Sequence, residues 1–314
     1  MASSAAQYEW HVAGDGAIGM ALAYRLHHHD ERVVLLSRER QDDPAELLYE
    51  PFGESVVKWS CPTMHQPEGC SIQRLLVTTK AYSVMEVIER WSPVLQAGAR
   101  VYFLQNGAGF LPDDALPASA VPLFVVNGGF TAFRAERRHV VQTSMKPVWI
   151  GNEAGAPVPT TASVEADLRV LDKVGFHARW TADIARYRWE KICINAIVNA
   201  QAVIHETTNG GLLENDQARL DIRSMCDELD PLLAAMSIDL SVDHLHEATI
   251  ALLRATATNV SSTLQDYRRG STRHELDRIN LVLLEQARSL GIDMPVHEDV
   301  HARVTGLFDR GNRG

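Results

Sequence analysis

Trp10-His11-Val12-Ala13-Gly14-Asp15-Gly16-Ala17-Ile18-Gly19, continued by a run to His28 and then by Arg32-Val33-Val34-Leu35-Leu36-Ser37-Arg38, is the stretch on which the fold turns. Trp10–Ala13 is a short apolar strand broken at Gly14. From Ala17 to His28, Ile18, Leu22 and Leu26 recur every four residues and share one helix face. Arg32–Leu36 is a second apolar strand. Strand, glycine turn, helix and strand make a βαβ unit with a right-handed crossover. The glycines follow G-x-G-x-x-G, and each serves a separate need. Gly14 permits the tight turn, Gly16 lets the backbone approach a pyrophosphate, and Gly19 lets helix and strand pack closely. The anion then rests on the first N–H groups of the helix, at Ala17 and Ile18. Asp15 must point away from it. A chance glycine turn is the plain alternative, but the order of the flanking elements supports dinucleotide binding.

The end of the second strand selects the dinucleotide. An acidic residue there would bind the ribose 2′-hydroxyl of NAD, whereas an arginine pairs with a 2′-phosphate. The sequence has Ser37-Arg38, with Arg40 two positions on and Glu39 alternating to the other face. NADP(H) is therefore favoured over NAD(H); otherwise Arg38 is a solvated strand-end charge. Two further strands end on polar residues, Lys80 after Arg74–Thr79 and Asn106 after Val101–Leu104. Strand ends on this edge of an open α/β sheet face the ligand crevice.

Beyond these, Val84–Leu95 reads as a helix, Tyr49–Ser71 as short strands, and Pro122–Val126 and Val140–Ile150 as strands closing the same sheet. Near Arg179 the pattern turns helical, punctuated by Pro231, Gly270 and a turn over Gly291–Pro295. The expected division is an α/β, Rossmann-type domain over residues 1–181 and an all-helical domain over 182–314. In the first long helix Lys191, Asn195 and Asn199 stand at i, i+4 and i+8, one polar stripe among apolar neighbours. Buried polar groups are costly unless they meet partners, so this stripe is a candidate site; a solvated face is the alternative. Farther on come Asn259-Val260-Ser261-Ser262 and, after Gly270, the segment His274–Asn280 containing Glu275.

Composition limits the function. Of 314 residues, 46% are hydrophobic, enough for a sizeable core. The formal net charge of -10 argues against a nucleic-acid surface, which needs clustered Lys and Arg. The four cysteines stand at no metal-ligand spacing, so no metal is expected and a reducing, cytoplasmic setting is the simplest reading. No run reaches the roughly 18 apolar residues of a membrane span, and residues 1–8 lack the pattern of a secretory signal. The long apolar helices of the second domain leave room for a homodimer.

Taken in order, these segments resemble the ketopantoate reductase (2-dehydropantoate 2-reductase) family over nearly the full length. The likeness is carried by the glycine loop, Val77-Thr78-Thr79-Lys80-Ala81, Gln105-Asn106-Gly107, Trp189-x-Lys191-x-x-x-Asn195-x-x-x-Asn199, Asn209-Gly210, Ser261-Ser262-x-Leu264-Gln265-Asp266 and Glu275-x-Asp277-x-x-Asn280. The resemblance implies reduction of a 2-keto acid, ketopantoate first, by NADPH. It gives Lys191 the role of proton donor and Glu275 that of orienting substrate hydroxyl, cofactor ribose and lysine. It places Asn195 and Asn199 at the substrate hydroxyl, Asn259 and Ser262 near the carboxylate, and Asn209 in the pocket. Lys80 and Asn106 would lie along the cofactor, with Arg38 on the 2′-phosphate. The pattern departs at His274 for a usual Thr, at Ala200 for a frequent Pro and at Thr263 for a frequent Met. One residue is gained between Ser262 and Glu275, and the stretch 127–133 matches loosely. A paralogue acting on another branched or hydroxylated 2-keto acid, or a silent NADP-binding sensor, remains open at this point.

Overall fold

The computed structural model describes residues 8–38, 45–67, 69–112, 114–136, 138–153, 161–271, 276 and 279–311. The chain forms two compact units, Met1–Gln105 with Phe110–Ile184, and Asn106–Gly109 with Ala185–Gly314.

The first unit begins β1 (Trp10–Ala13), α1 (Ala17–His28) and β2 (Val33–Leu36), as the glycine-centred pattern requires. It continues with β3 (Ala45–Glu50), β4 (Val57–Cys61), β5 (Thr63–Met64), β6 (Ile72–Val77), α2 (Val84–Trp91) and β7 (Leu95–Phe103). Then follow β8 (Val121–Asn127), β9 (Thr131–Glu136), β10 (His139–Ser144), β11 (Val148–Gly151), α3 (Thr161–Lys173) and β12 (Ala178–Trp180). The larger sheet has the order β12-β11-β8-β7-β6-β1-β2-β5. Neighbours from β5 to β8 are parallel, while β11 runs antiparallel to β8. The chain therefore steps outward from β1 through β2 to β5, then restarts at β6 on the other side. The C-terminal ends of β1 and β6 flank the reversal point where such sheets bind ligands.

A second sheet, β4-β3-β10-β9, covers the opposite side of α1. This corrects the expectation that Val140–Ile150 closes one sheet: β10 belongs to the second sheet and only β11 joins the first. The diversion starts at Asn127. Its side-chain oxygen accepts from the N–H groups of Gly129 (2.9 Å) and Phe130 (2.7 Å), closing a turn that Gly129 enters at φ +147. With a sheet on either side, α1 is buried continuously from Gly19 to Leu26, not along one stripe. Arg25 is buried with it, donating to Gln142 Oε1 (3.0 Å) on β10. Asp167 of α3 is 1% exposed and accepts from Arg74 (2.6 Å), Arg100 and the Tyr102 hydroxyl.

The second unit is helical: α4 (Ile184–Ile204), α5 (Asn209–Glu214), α6 (Asp216–Ala235), α7 (Val242–Ala255), α8 (Ser262–Arg268), α9 (Asn280–Ser289) and α10 (Pro295–Gly311). Thr208, Asn215, Ser241 and Ser261 cap α5 to α8 by accepting a backbone N–H. Pro231 does not interrupt the chain as the sequence suggests but lies inside α6, where burial of Leu229, Leu232 and Leu233 outweighs the lost hydrogen bond. Glu228, on the same helix, caps α10 by accepting from the N–H groups of Val296 and His297, both at 2.8 Å. Its Oε2 also lies 2.9 Å from Nδ1 of the fully buried His297.

Candidate active-site residues

The glycine loop is built as its spacing demands. Gly14 has φ +118, a conformation that side chains disfavour. A Cβ there would lie 2.8 Å from Thr78 Oγ1 and 2.9 Å from Thr79 N. A Cβ at Gly19 would collide with the Gly14 carbonyl oxygen and lie 2.5 Å from Thr78 Oγ1. A Cβ at Gly16 would meet nothing within 4 Å, so the backbone there is open to approach. Gly16 caps α1 with no side-chain acceptor, and the first turn, Ala17 and Ile18 included, holds no acid. Its N–H groups thus have no local carboxylate to satisfy them, and Asp15 is exposed.

Thr78 is the residue that sequence reasoning passed over. Its hydroxyl, at the end of β6, lies 3.0 Å from the carbonyl oxygen of Ala13 and 3.1 Å from that of Gly14. One side chain thereby ties the loop across the reversal point. Gln105, after β7, acts similarly by donating to the carbonyls of Val77 and Thr79, both at 2.9 Å. The Gln105 Oε1 and Thr79 Oγ1 atoms are buried without a partner among the described residues. Pinched glycines, an open Gly16, an uncapped helix start and orphaned polar atoms at two strand ends fit a bound dinucleotide.

Arg38 follows β2, exposed, with its guanidinium 2.9 Å from a Glu86 carboxylate oxygen on α2. Lys80 is exposed three residues after the end of β6. Asn106 is partly buried and groups with the helical unit, not with the strand it follows.

In the second unit, α4 carries Lys191 and Asn195 partly buried and Asn199 buried. The intervening Ile192, Cys193, Ala196 and Ile197 sink into the core, so the three polar residues lie along one edge of a packed helix. Burial pushes the Cys193 thiol well up, so it is a core residue and no nucleophile. Arg188, one turn before Lys191 and also missed from the sequence, continues the stripe. Burial lowers its pKa to about 10. Asn209 and Asn259 are brought together: Asn209 N–H donates to the Asn259 carbonyl (3.0 Å), and its side chain donates to Thr256 Oγ1 (2.8 Å). Asn209 Oδ1 is left buried without a partner among the described residues. Ser262 opens α8 and is exposed; it is Ser261 that caps the helix. Glu275 and His274 lie outside the described residues. Asn280, five positions on, is buried and donates to the Ala196 carbonyl at 3.1 Å, between Asn195 and Asn199 on α4.

A family model described as ketopantoate reductase PanE/ApbA matches residues 10–155, and its C-terminal counterpart matches residues 183–307. The 2-dehydropantoate 2-reductase of Vibrio cholerae is 25% identical over 299 residues, covering 94% of this chain and 96% of that protein. Among solved structures, D-mandelate dehydrogenase with NADH and anilino(oxo)acetate superposes with a TM-score of 0.84 at 19% identity, covering 96% of this chain and 99% of the other. The probable 2-dehydropantoate 2-reductase of Bacillus subtilis superposes with a TM-score of 0.78 at 20% identity, covering 95% and 99%. With both halves matched in order, the chain belongs to the ketopantoate reductase family of oxidoreductases.

Proposed function

We propose that the protein reduces a 2-keto acid to the 2-hydroxy acid with NADPH, with 2-dehydropantoate as the first candidate substrate. The observation that carries this reading is Lys191, held partly buried on the core helix α4 in line with Asn195 and Asn199. The glycine loop with Ala17 and Ile18 would hold the cofactor pyrophosphate, Arg38 its 2′-phosphate, and Lys80 and Asn106 its remaining length. When bound, NADPH supplies the hydride that the keto carbon receives.

The chain's own groups do the rest. The Lys191 ammonium polarises the keto oxygen and gives up one proton to it, so that carbonyl, hydride and proton become a hydroxyl, and water restores the lysine. Asn195 and Asn199 orient the substrate's hydroxyl, Asn209 completes the pocket, and Asn259 and Ser262 lie toward the carboxylate. Glu275 orients lysine and substrate, by the family pattern.

Reduction of another branched or hydroxylated 2-keto acid is the second reading. It is favoured by the departures at Ala200 and Thr263, both buried beside the α4 and α8 residues in question. The test is NADPH oxidation, followed at 340 nm, with ketopantoate and a panel of 2-keto acids. Lys191→Ala should lower turnover by at least about 100-fold while leaving NADPH binding unchanged. Tight NADPH binding without turnover on any of them would sink the reductase reading in favour of a sensor.

A further inference from the structure

The α4 stripe does not begin at Lys191. At 100° per residue, positions 188, 191, 195 and 199 fall within an arc of roughly 80° on one helix face. Along the axis, Arg188 precedes Lys191 by about 4.5 Å, and Asn195 follows it by about 6 Å. The face therefore reads, in order, a guanidinium, an ammonium and two carboxamides. A hydroxylated 2-keto acid reads in the same order: a carboxylate, the adjacent keto group, and a hydroxyl at the far end.

Charge points the same way. The substrate carboxylate carries a full negative charge, whereas Asn259 and Ser262 are neutral and both exposed. A guanidinium matches a carboxylate with two parallel N–H donors, and it stays protonated throughout the neutral range. Arg188 is partly buried, and burial brings its pKa down to about 10, which leaves it a cation at neutral pH.

We propose that Arg188 binds the substrate carboxylate, so that the 2-keto acid lies along α4 with its keto oxygen at Lys191 and its far end at Asn195 and Asn199. This rests on the reductase reading above and adds to it a specificity-determining residue: the enzyme selects acids over the matching amides through Arg188.

The test compares wild type with Arg188→Met and Arg188→Gln on a 2-keto acid and on its 2-keto amide, with NADPH affinity measured by fluorescence titration. For the acid, KM should rise about 30-fold or more in both variants, with kcat changed by less than about 5-fold. For the amide, KM should be the same in all three proteins, and NADPH affinity should not move. Equal losses on acid and amide, or an unchanged KM for the acid, overturn the proposal. Oxalate binding to wild type and both variants, followed by calorimetry, supplies a readout independent of turnover. If wild type turns over no 2-keto acid, the reductase reading fails on that ground. Oxalate bound equally by all three proteins, or by none, overturns the role of Arg188, whereas oxalate bound by wild type and lost in the variants sustains it.

Discussion

Arg38 Nη2 lies 2.9 Å from Glu86 Oε2, so the arginine proposed to choose the cofactor already holds an ion pair with α2. Both side chains are about half exposed, so the pair is weak, worth roughly 0–1 kcal/mol. A 2′-phosphate would compete with Glu86 for the same guanidinium. Arg38→Ala should weaken NADPH by about 10- to 100-fold and leave NADH nearly unchanged. Glu86→Gln should tighten NADPH by up to about 5-fold. Titration of both cofactors against both variants checks this; equal losses for NADPH and NADH in Arg38→Ala would remove Arg38 from the site.

Thr78→Val keeps the volume of the side chain but removes the hydroxyl that binds Ala13 and Gly14. The loop should lose the side-chain part of its tie to β6, the Thr78 N–H bond to the Ala13 carbonyl remaining, and dinucleotide affinity should fall about 10-fold with only a modest loss of stability. Gly19→Ala is harsher, because its Cβ has no room against the Gly14 carbonyl. Its melting temperature should drop and cofactor binding should disappear. Unchanged affinity in Thr78→Val would show that the loop holds itself.

The β1-α1-β2 unit was legible because each of its signals is local: apolar runs, a four-residue period and glycines at fixed spacing. The α4 stripe was legible for the same reason. Thr78 was not, since a threonine after a strand looks ordinary until it is seen against Gly14, which is 64 positions away. Arg188 stood among other arginines with no local mark. The assignment of β10 failed for a related cause: alternation identifies a strand but not the sheet that pairs with it. Gln142, polar in the middle of that strand, was the one hint, because it is buried against Arg25 and Tyr49.

Asp167 gathers Arg74, Arg100 and Tyr102 in a buried cluster that joins α3 to β6 and β7. Asp167→Ala leaves an uncompensated buried guanidinium and should cost roughly 3–5 kcal/mol. Urea unfolding would measure it; a loss under about 1 kcal/mol would mean that Arg100 finds water or another acceptor.

Acid should destabilise the fold in two stages. Burial lowers the pKa of His11 to about 4, below its unfolded value of 6.5, so between those pH values the unfolded chain binds the extra proton. Stability is therefore unaffected above pH 6.5 and falls as pH drops toward 4, by up to roughly 3 kcal/mol. For Glu228, burial acts to raise the pKa, but hydrogen bonds from His297 and from the Val296 and His297 amides prevail and lower it below 4.5. Its contribution is present above pH 4.5 and is lost as pH falls below that value. Urea midpoints from pH 8 to pH 3 should show both stages, and Glu228→Gln should flatten only the lower one. A flat profile between pH 6.5 and 4.5 would contradict the His11 assignment.

With a sheet on either side of α1, residues Gly19 to Leu26 have no solvent-facing position to vary. Amide protons along this helix should exchange with solvent only when the whole first unit opens, making α1 a reporter of global unfolding. On the proposed reading, a phosphate cradle mounted on such a helix would be set before any ligand arrives. Variation in cofactor preference would then arise at the open strand ends, at Arg38 above all, with the helix itself unaltered.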